Sequence, residues 1–134
     1  MCGINGIITD NLSLESRNKL IRLMNEHLKH RGPDYINSWS DEKASFGHVR
    51  LSIIDLSTNG HQPMESFDKR YVLSFNGEIY NYKSIRKELT SLGVLFNGES
   101  DSEVLINAWA LWGESVVTKL NGIFAFSIWD KKTK

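Results

Sequence analysis

A chain of 134 residues is long enough for one domain with its own core. Its 16 basic and 16 acidic residues cancel, which removes the simple electrostatic argument for a nucleic-acid or membrane-surface partner. A single cysteine excludes an internal disulfide and fits a reducing compartment such as the cytoplasm; four scattered histidines make no conventional zinc cluster, and no stretch has the shape of a membrane span or a signal peptide.

That cysteine is Cys2, directly behind the start methionine. A small residue at position 2 permits removal of Met1, and the mature chain then begins with a thiol and a free α-amine on one residue. The amine titrates at about 7.7–8.0, so it can accept the thiol proton near neutral pH. Taken alone, a lone early cysteine is more often an inert, small, buried residue. A lipoprotein cysteine would need an apolar run before it, and N-myristoylation would need glycine at position 2.

Gly3 to Thr9 reads as a short strand carrying Cys2 at its mouth. Asn11 or Ser13 can cap the helix that follows. Leu20, Ile21, Met24 and Leu28 fall at helical spacing with Arg17, Lys19, Arg22 and Glu26 between them, which predicts an amphipathic helix from about 14 to 29. His30-Arg31-Gly32-Pro33-Asp34 breaks that helix, either as a plain loop with a solvated charge pair or as a structured loop beside a site. Ile36–Ser40 and Ala44–Arg50 read as strands around an Asp41-Glu42-Lys43 turn. Arg50 ends the second strand; it is usually a surface charge there, but it is also the side chain best able to hold a carboxylate bidentately. Ser57 to Pro63 is a loop.

Tyr71–Phe75 is a strong strand that runs into Asn76-Gly77-Glu78-Ile79-Tyr80-Asn81. Ile85, Leu89 and Leu92 then repeat at helical spacing up to Gly93, so Asn76-Gly77 is expected at a strand-to-helix junction rather than in a hairpin. At such a junction an open glycine N–H beside an asparagine amide makes an oxyanion hole. Ser100 and Glu103 have the capping-box pattern, with Val104, Leu105, Ala108, Leu111 and Trp112 as the next helical stripe. Asp101 lies in its first turn, where an acid complements the helix dipole whether or not it binds anything. Gly122–Asp130 alternates apolar faces and is expected to be a strand buried on both; the turn residues after it suggest a longer protein with further strands.

Taken together and in order, MCGI at the start, HRGPD at 30–34, RLSIID at 50–55, G-x-QP at 60–63, NGEIYN at 76–81, SDSEV at 100–104 and G-x-FAF-x-x-WD at 122–130 resemble the glutaminase domain of glutamine-hydrolysing asparagine synthetases. These are class II glutamine amidotransferases. The resemblance implies an α+β fold, the four-layer αββα sandwich of the N-terminal nucleophile hydrolases, over residues 1–134, truncated at its C-terminus. It implies L-glutamine as substrate, Cys2 as nucleophile with its own α-amine as base, and Asn76 and Gly77 as the oxyanion hole. Arg50 is implied as the clamp on the substrate carboxylate, assisted by backbone groups of Ile53 and Ile54, with Glu78 and Asp101 on the substrate ammonium. No metal or cofactor is implied for this stretch. ATP and Mg²⁺ belong to a C-terminal synthetase domain that would use the ammonia to turn aspartate into asparagine in the cytoplasm, and the resemblance leaves a homodimer open. Other readings are an amidotransferase for a different carboxylate, such as that of a surface-polysaccharide sugar, and a catalytically silent module of the same fold. A cysteine hydrolase using His48 or His61 as base is the weakest, since no spacing ties either histidine to Cys2.

Overall fold

The computed structural model describes residues 1–134. Six strands form two three-stranded antiparallel sheets. In the first sheet β1 (Gly3–Ile8) and β2 (Tyr35–Ser40) flank β3 (Ala44–Arg50). In the second, β4 (Met64–Glu65) and β6 (Gly122–Asp130) flank β5 (Tyr71–Ile79). Helix α1 (Leu14–Leu28) covers the outside of the first sheet; α2 (Tyr82–Ser91) and α3 (Asp101–Trp112) pack together over the second, and β5 lies against β1 and β3. The layers therefore run helix, sheet, sheet, helices, as the family resemblance implied. No helix is long and apolar enough to cross a membrane.

Local chemistry sets the joints. Ser13, one of the two expected caps, accepts the Ser16 amide at the start of α1. Asp41 turns the β2–β3 hairpin by accepting the Lys43 and Ala44 amides, each at 2.8 Å. Its other oxygen takes the Trp129 indole N–H at 2.7 Å and ties the hairpin tip to β6. Arg17, expected on the solvent face of α1, is fully buried instead. Its guanidinium donates to the Asp41 and Glu42 carbonyls at 2.7 and 2.6 Å, so the hairpin turn supplies acceptors that water would otherwise provide. The buried face of α1 is Arg17, Ile21 and Asn25, while Leu20 lies exposed.

The main core sits between the second sheet and its helices, built on Leu73, Phe75, Ile79, Ile85, Leu89, Leu105 and Ile106. The layer between the sheets is thinner. Ala44, Phe46, Val72 and Trp129 fill one end, and polar groups occupy the middle. There Ser74 Oγ donates to the Gly47 carbonyl at 3.2 Å and His48 Nε2 lies 3.0 Å from the Phe75 carbonyl. β6 is not buried on both faces as predicted. Phe124, Phe126 and Ile128 pack toward the helices, but Ile123, Ala125 and Ser127 are exposed, because the first sheet covers β5 rather than β6.

His48 makes the fold sensitive to acid. A carbonyl can only accept, so Nε2 carries the proton, and the buried ring is neutral. Burial, opposed by the Phe75 carbonyl and reinforced by the Arg50 charge, lowers its pKa to about 4 from 6.5. The unfolded chain then binds the extra proton first as pH falls. Stability should be insensitive to this group above pH 6.5 and should fall between there and about pH 4, by on the order of 3 kcal/mol. Denaturant titrations across that range should show the slope, and His48→Gln should remove it.

Candidate active site

Antiparallel pairing brings Cys2 to the far end of β3. Gly3 opposes Val49, so the residue before β1 meets the residues at and after the end of β3. The Cys2 sulfur rests on the Leu51 backbone, 3.4 Å from its nitrogen and 3.6 Å from its oxygen. HRGPD is the structured loop, not the solvated one. Arg31 Nε donates to the Cys2 carbonyl at 3.0 Å. Asp34 accepts the Ser52 amide at 2.7 Å and gives its own amide to the Arg50 carbonyl at 3.0 Å. Gly32 lies so close to the Val49–Arg50 backbone that a Cβ has no room.

Arg50 is buried, and its guanidinium donates to the Ser57 carbonyl at 2.8 Å and to the Asp55 carbonyl. Three of its five N–H groups are left for a ligand. Gly60 lies flat on the guanidinium, where a side chain would collide with it. Asp55 joins the loop after β3 to the loop before α3. One oxygen takes the Ser57 amide and hydroxyl at 2.8 and 2.6 Å, and the other takes the Glu99 amide at 2.8 Å. Burial pushes this carboxyl up, but those bonds and the Arg50 charge outweigh it and hold its pKa below the usual value.

β5 forms the facing wall. Contrary to the expected strand-to-helix junction, Asn76 and Gly77 lie inside this strand, paired with Ala125 and Phe124 of β6. The junction falls at Tyr80-Asn81. Side chains alternate, so Ser74, Asn76 and Glu78 point to the first sheet while Phe75 and Ile79 point to the helices. The backbone alternates as well. Phe75 N–H donates to Gln62 Oε1 at 2.7 Å, and Ile79 N–H donates to Asp101 Oδ2 at 3.0 Å, so both turn away from β6. By the period of an antiparallel ladder, the Gly77 N–H turns the same way and is not spent on β6. A Cβ on Gly77 would strike the Ile123–Phe124 backbone, so only glycine lets β6 come this close.

Asp101 heads α3 behind the Ser100 cap. Glu103 does not complete the capping box. Its carboxylate reaches past Ser100 to the Asn97 and Gly98 amides at 2.7 and 2.8 Å. Burial raises the pKa of Asp101 against the Ile79 and Ser102 amides, and the Glu78 charge raises it further. Two carboxylates thus face one space with no cation of the chain between them.

Cys2, Arg50, Ile53, Ile54, Asn76, Gly77, Glu78 and Asp101 all line one open cleft at the end of the inter-sheet layer. Met1 lies at its rim and is more than half exposed. The cleft can therefore present a sulfur, a buried guanidinium, a free backbone donor with an asparagine beside it, and two acids to one small zwitterion. Arg31, His48, Leu51, Asp55 and Gln62 also shape it. Four of them stand within or beside motifs noted in the sequence, but their work is on backbone groups, which the residue letters do not reveal. No three His, Cys, Asp or Glu side chains, there or elsewhere, are grouped so that they could hold a metal ion.

A family model described as "Glutamine amidotransferase domain" matches residues 1–134. Among curated proteins, asparagine synthetase (glutamine-hydrolyzing) 1 of Bacillus subtilis is 44% identical over 133 residues, covering 98% of this chain and 21% of that protein. Asparagine synthetase (glutamine-hydrolyzing) 2 of Oryza sativa is 37% identical over 135 residues, covering 100% and 22%. The chain thus spans about a fifth of the length of the curated relatives it matches. Among solved structures, glutamine phosphoribosylpyrophosphate amidotransferase of B. subtilis, complexed with ADP and GMP, superposes with a TM-score of 0.55 at 26% identity. That match covers 66% of this chain and 21% of the other.

Proposed function

Because this chain belongs to the glutamine amidotransferase domain family, we propose that it hydrolyses L-glutamine to glutamate and ammonia through a thioester on Cys2. The observation that supports this reading best is the convergence of Cys2, Arg50, Asn76, Gly77, Glu78 and Asp101, from four separate segments, on one cleft.

The steps follow from the groups. With Met1 removed, the Cys2 α-amine takes the thiol proton and the sulfur attacks the side-chain amide carbon. The carbonyl oxygen becomes an oxyanion between the Asn76 amide and the Gly77 N–H. The α-ammonium returns its proton to the leaving nitrogen, the C–N bond breaks, and ammonia departs. Water then adds to the thioester carbon, the C–S bond breaks, and glutamate and the free thiol are restored. Arg50 pairs with the α-carboxylate, with backbone groups of Ile53 and Ile54 beside it. Glu78 and Asp101 take the α-ammonium, a cation that offsets the burial and, after it, the Glu78 charge that raise Asp101.

Ground-state binding and catalysis separate experimentally. Arg50→Lys keeps the charge but loses the planar fork, so KM for glutamine should rise about 30-fold or more, the effect of ~2 kcal/mol lost from a buried charge pair, with kcat little changed. Unchanged glutamine kinetics in that variant would remove Arg50 from the carboxylate site.

In the whole protein the ammonia is proposed to serve an ATP- and Mg²⁺-dependent synthetase domain that converts aspartate to asparagine. The names of the relatives support this, and no residue described here is assigned to ATP or Mg²⁺. Incubating the full-length protein with amide-¹⁵N glutamine, aspartate and Mg-ATP should place the label in asparagine; label found only in free ammonia would overturn that acceptor.

A further inference from the structure

We propose that His48 and Gln62 are positioning residues that hold the Phe75 backbone so that the Asn76 amide and the Gly77 N–H stay aimed at the reacting carbonyl. This rests on the reading of Asn76 and Gly77 as oxyanion donors. β4 pairs only with Val72 and Leu73, so beyond Leu73 the edge of β5 that faces away from β6 has no neighbouring strand. Two side chains take the place of the missing ladder. Gln62, from the loop before β4, accepts the Phe75 N–H at 2.7 Å, and His48, from the opposite sheet, lies 3.0 Å from the Phe75 carbonyl. Both side chains are buried.

That carbonyl belongs to the peptide plane that carries the Asn76 nitrogen. Fixing it fixes the plane from which the Asn76 side chain and the Gly77 amide are launched. The next backbone group held on the same edge is the Ile79 N–H, on Asp101. Gly77 is therefore suspended between two anchored residues, and its N–H is the donor left facing the cleft.

A purely structural role fits His48 poorly. Its Nδ1 is buried without a partner, so the ring carries an unpaired polar atom into the layer to make a single bond. The ring's one bond is to the residue before Asn76. His48 does not line the cleft, so its influence on a reaction there passes through β5.

The test compares Met1-free wild type with His48→Leu, His48→Gln and Gln62→Met. Four quantities are read: kcat, KM, inhibition by L-glutamate γ-semialdehyde, and the rate of Cys2 alkylation by iodoacetamide. The aldehyde adds to the thiol as a tetrahedral adduct and needs the oxyanion donors; iodoacetamide does not. His48→Leu and Gln62→Met should lower kcat about 10- to 100-fold and weaken the aldehyde in proportion, as expected for donors displaced by a fraction of an ångström to ~1 Å. KM and the alkylation rate should stay within about threefold of wild type. His48→Gln, which returns an N–H at the position of Nε2, should recover most of kcat. Gln62→Met carries the test if His48→Leu does not fold. A folded Gln62→Met with wild-type kcat and aldehyde affinity would overturn the proposal, as would losses matched by an equal fall in alkylation. A wild-type chain without glutaminase activity would overturn the glutamine reading itself, and this inference with it.

Discussion

Replacing Cys2 with alanine should leave a folded chain that turns over no glutamine. The sulfur's hydrogen-bond partners are the Leu51 amide and carbonyl, at 3.4 and 3.6 Å, and the residue is half-buried at an open cleft, so the truncation opens no core cavity. The melting temperature should move by no more than a few degrees, as for a substitution worth ~1 kcal/mol or less. The rate should fall by orders of magnitude, because the bond-forming atom is gone; in a comparable covalent hydrolase the loss of the nucleophile costs about 10⁶ in kcat. Parallel thermal melts and ammonia-release assays on Met1-free chains decide the matter. Residual turnover in the alanine variant within tenfold of wild type would remove Cys2 as the nucleophile.

Asn76→Ala should be nearly as damaging for a different reason. An oxyanion donor acts on charge that develops in the transition state, so kcat should fall about 10²- to 10³-fold, equivalent to ~2.7–4 kcal/mol, with KM little affected. The structure argues that folding will survive. The Asn76 side-chain oxygen is buried without a partner, so truncation removes an unpaired atom rather than creating one. The β5–β6 ladder, which holds Asn76 opposite Ala125, uses only the backbone and remains. A variant whose KM rises while kcat stays constant would move Asn76 from the oxyanion to ground-state binding.

What was legible in the sequence was whatever one segment states by itself. Helical spacing marked α1, α2 and α3, short runs on either side of a turn marked β2 and β3, alternation marked β6, and the motif letters named the side chains that line the cleft. Asn76-Gly77 misled, because the pair signals a turn or a junction when read locally. Its nine-residue strand is held straight by β6, a partner far along the chain. Arg17 misled for the same reason. Hydropathy sends a charge outward, and only the fold brings the Asp41 and Glu42 carbonyls to it. Asp101 was ambiguous because a first-turn acid satisfies the helix dipole anyway. Its contact with the Ile79 amide, across from another element, is what puts it at the cleft. The inner face of β6 was read as buried because alternation tells which face is apolar, not what lies opposite.

The most direct test of Cys2 as an N-terminal nucleophile in a glutamine pocket is the intact mass of the chain after incubation with 6-diazo-5-oxo-L-norleucine. The expected result is a chain lacking Met1 that carries one adduct, with loss of dinitrogen from the reagent, mapped to Cys2 and suppressed by excess L-glutamine. A folded, Met1-free chain that remains unmodified, or one labelled elsewhere and indifferent to glutamine, would contradict it.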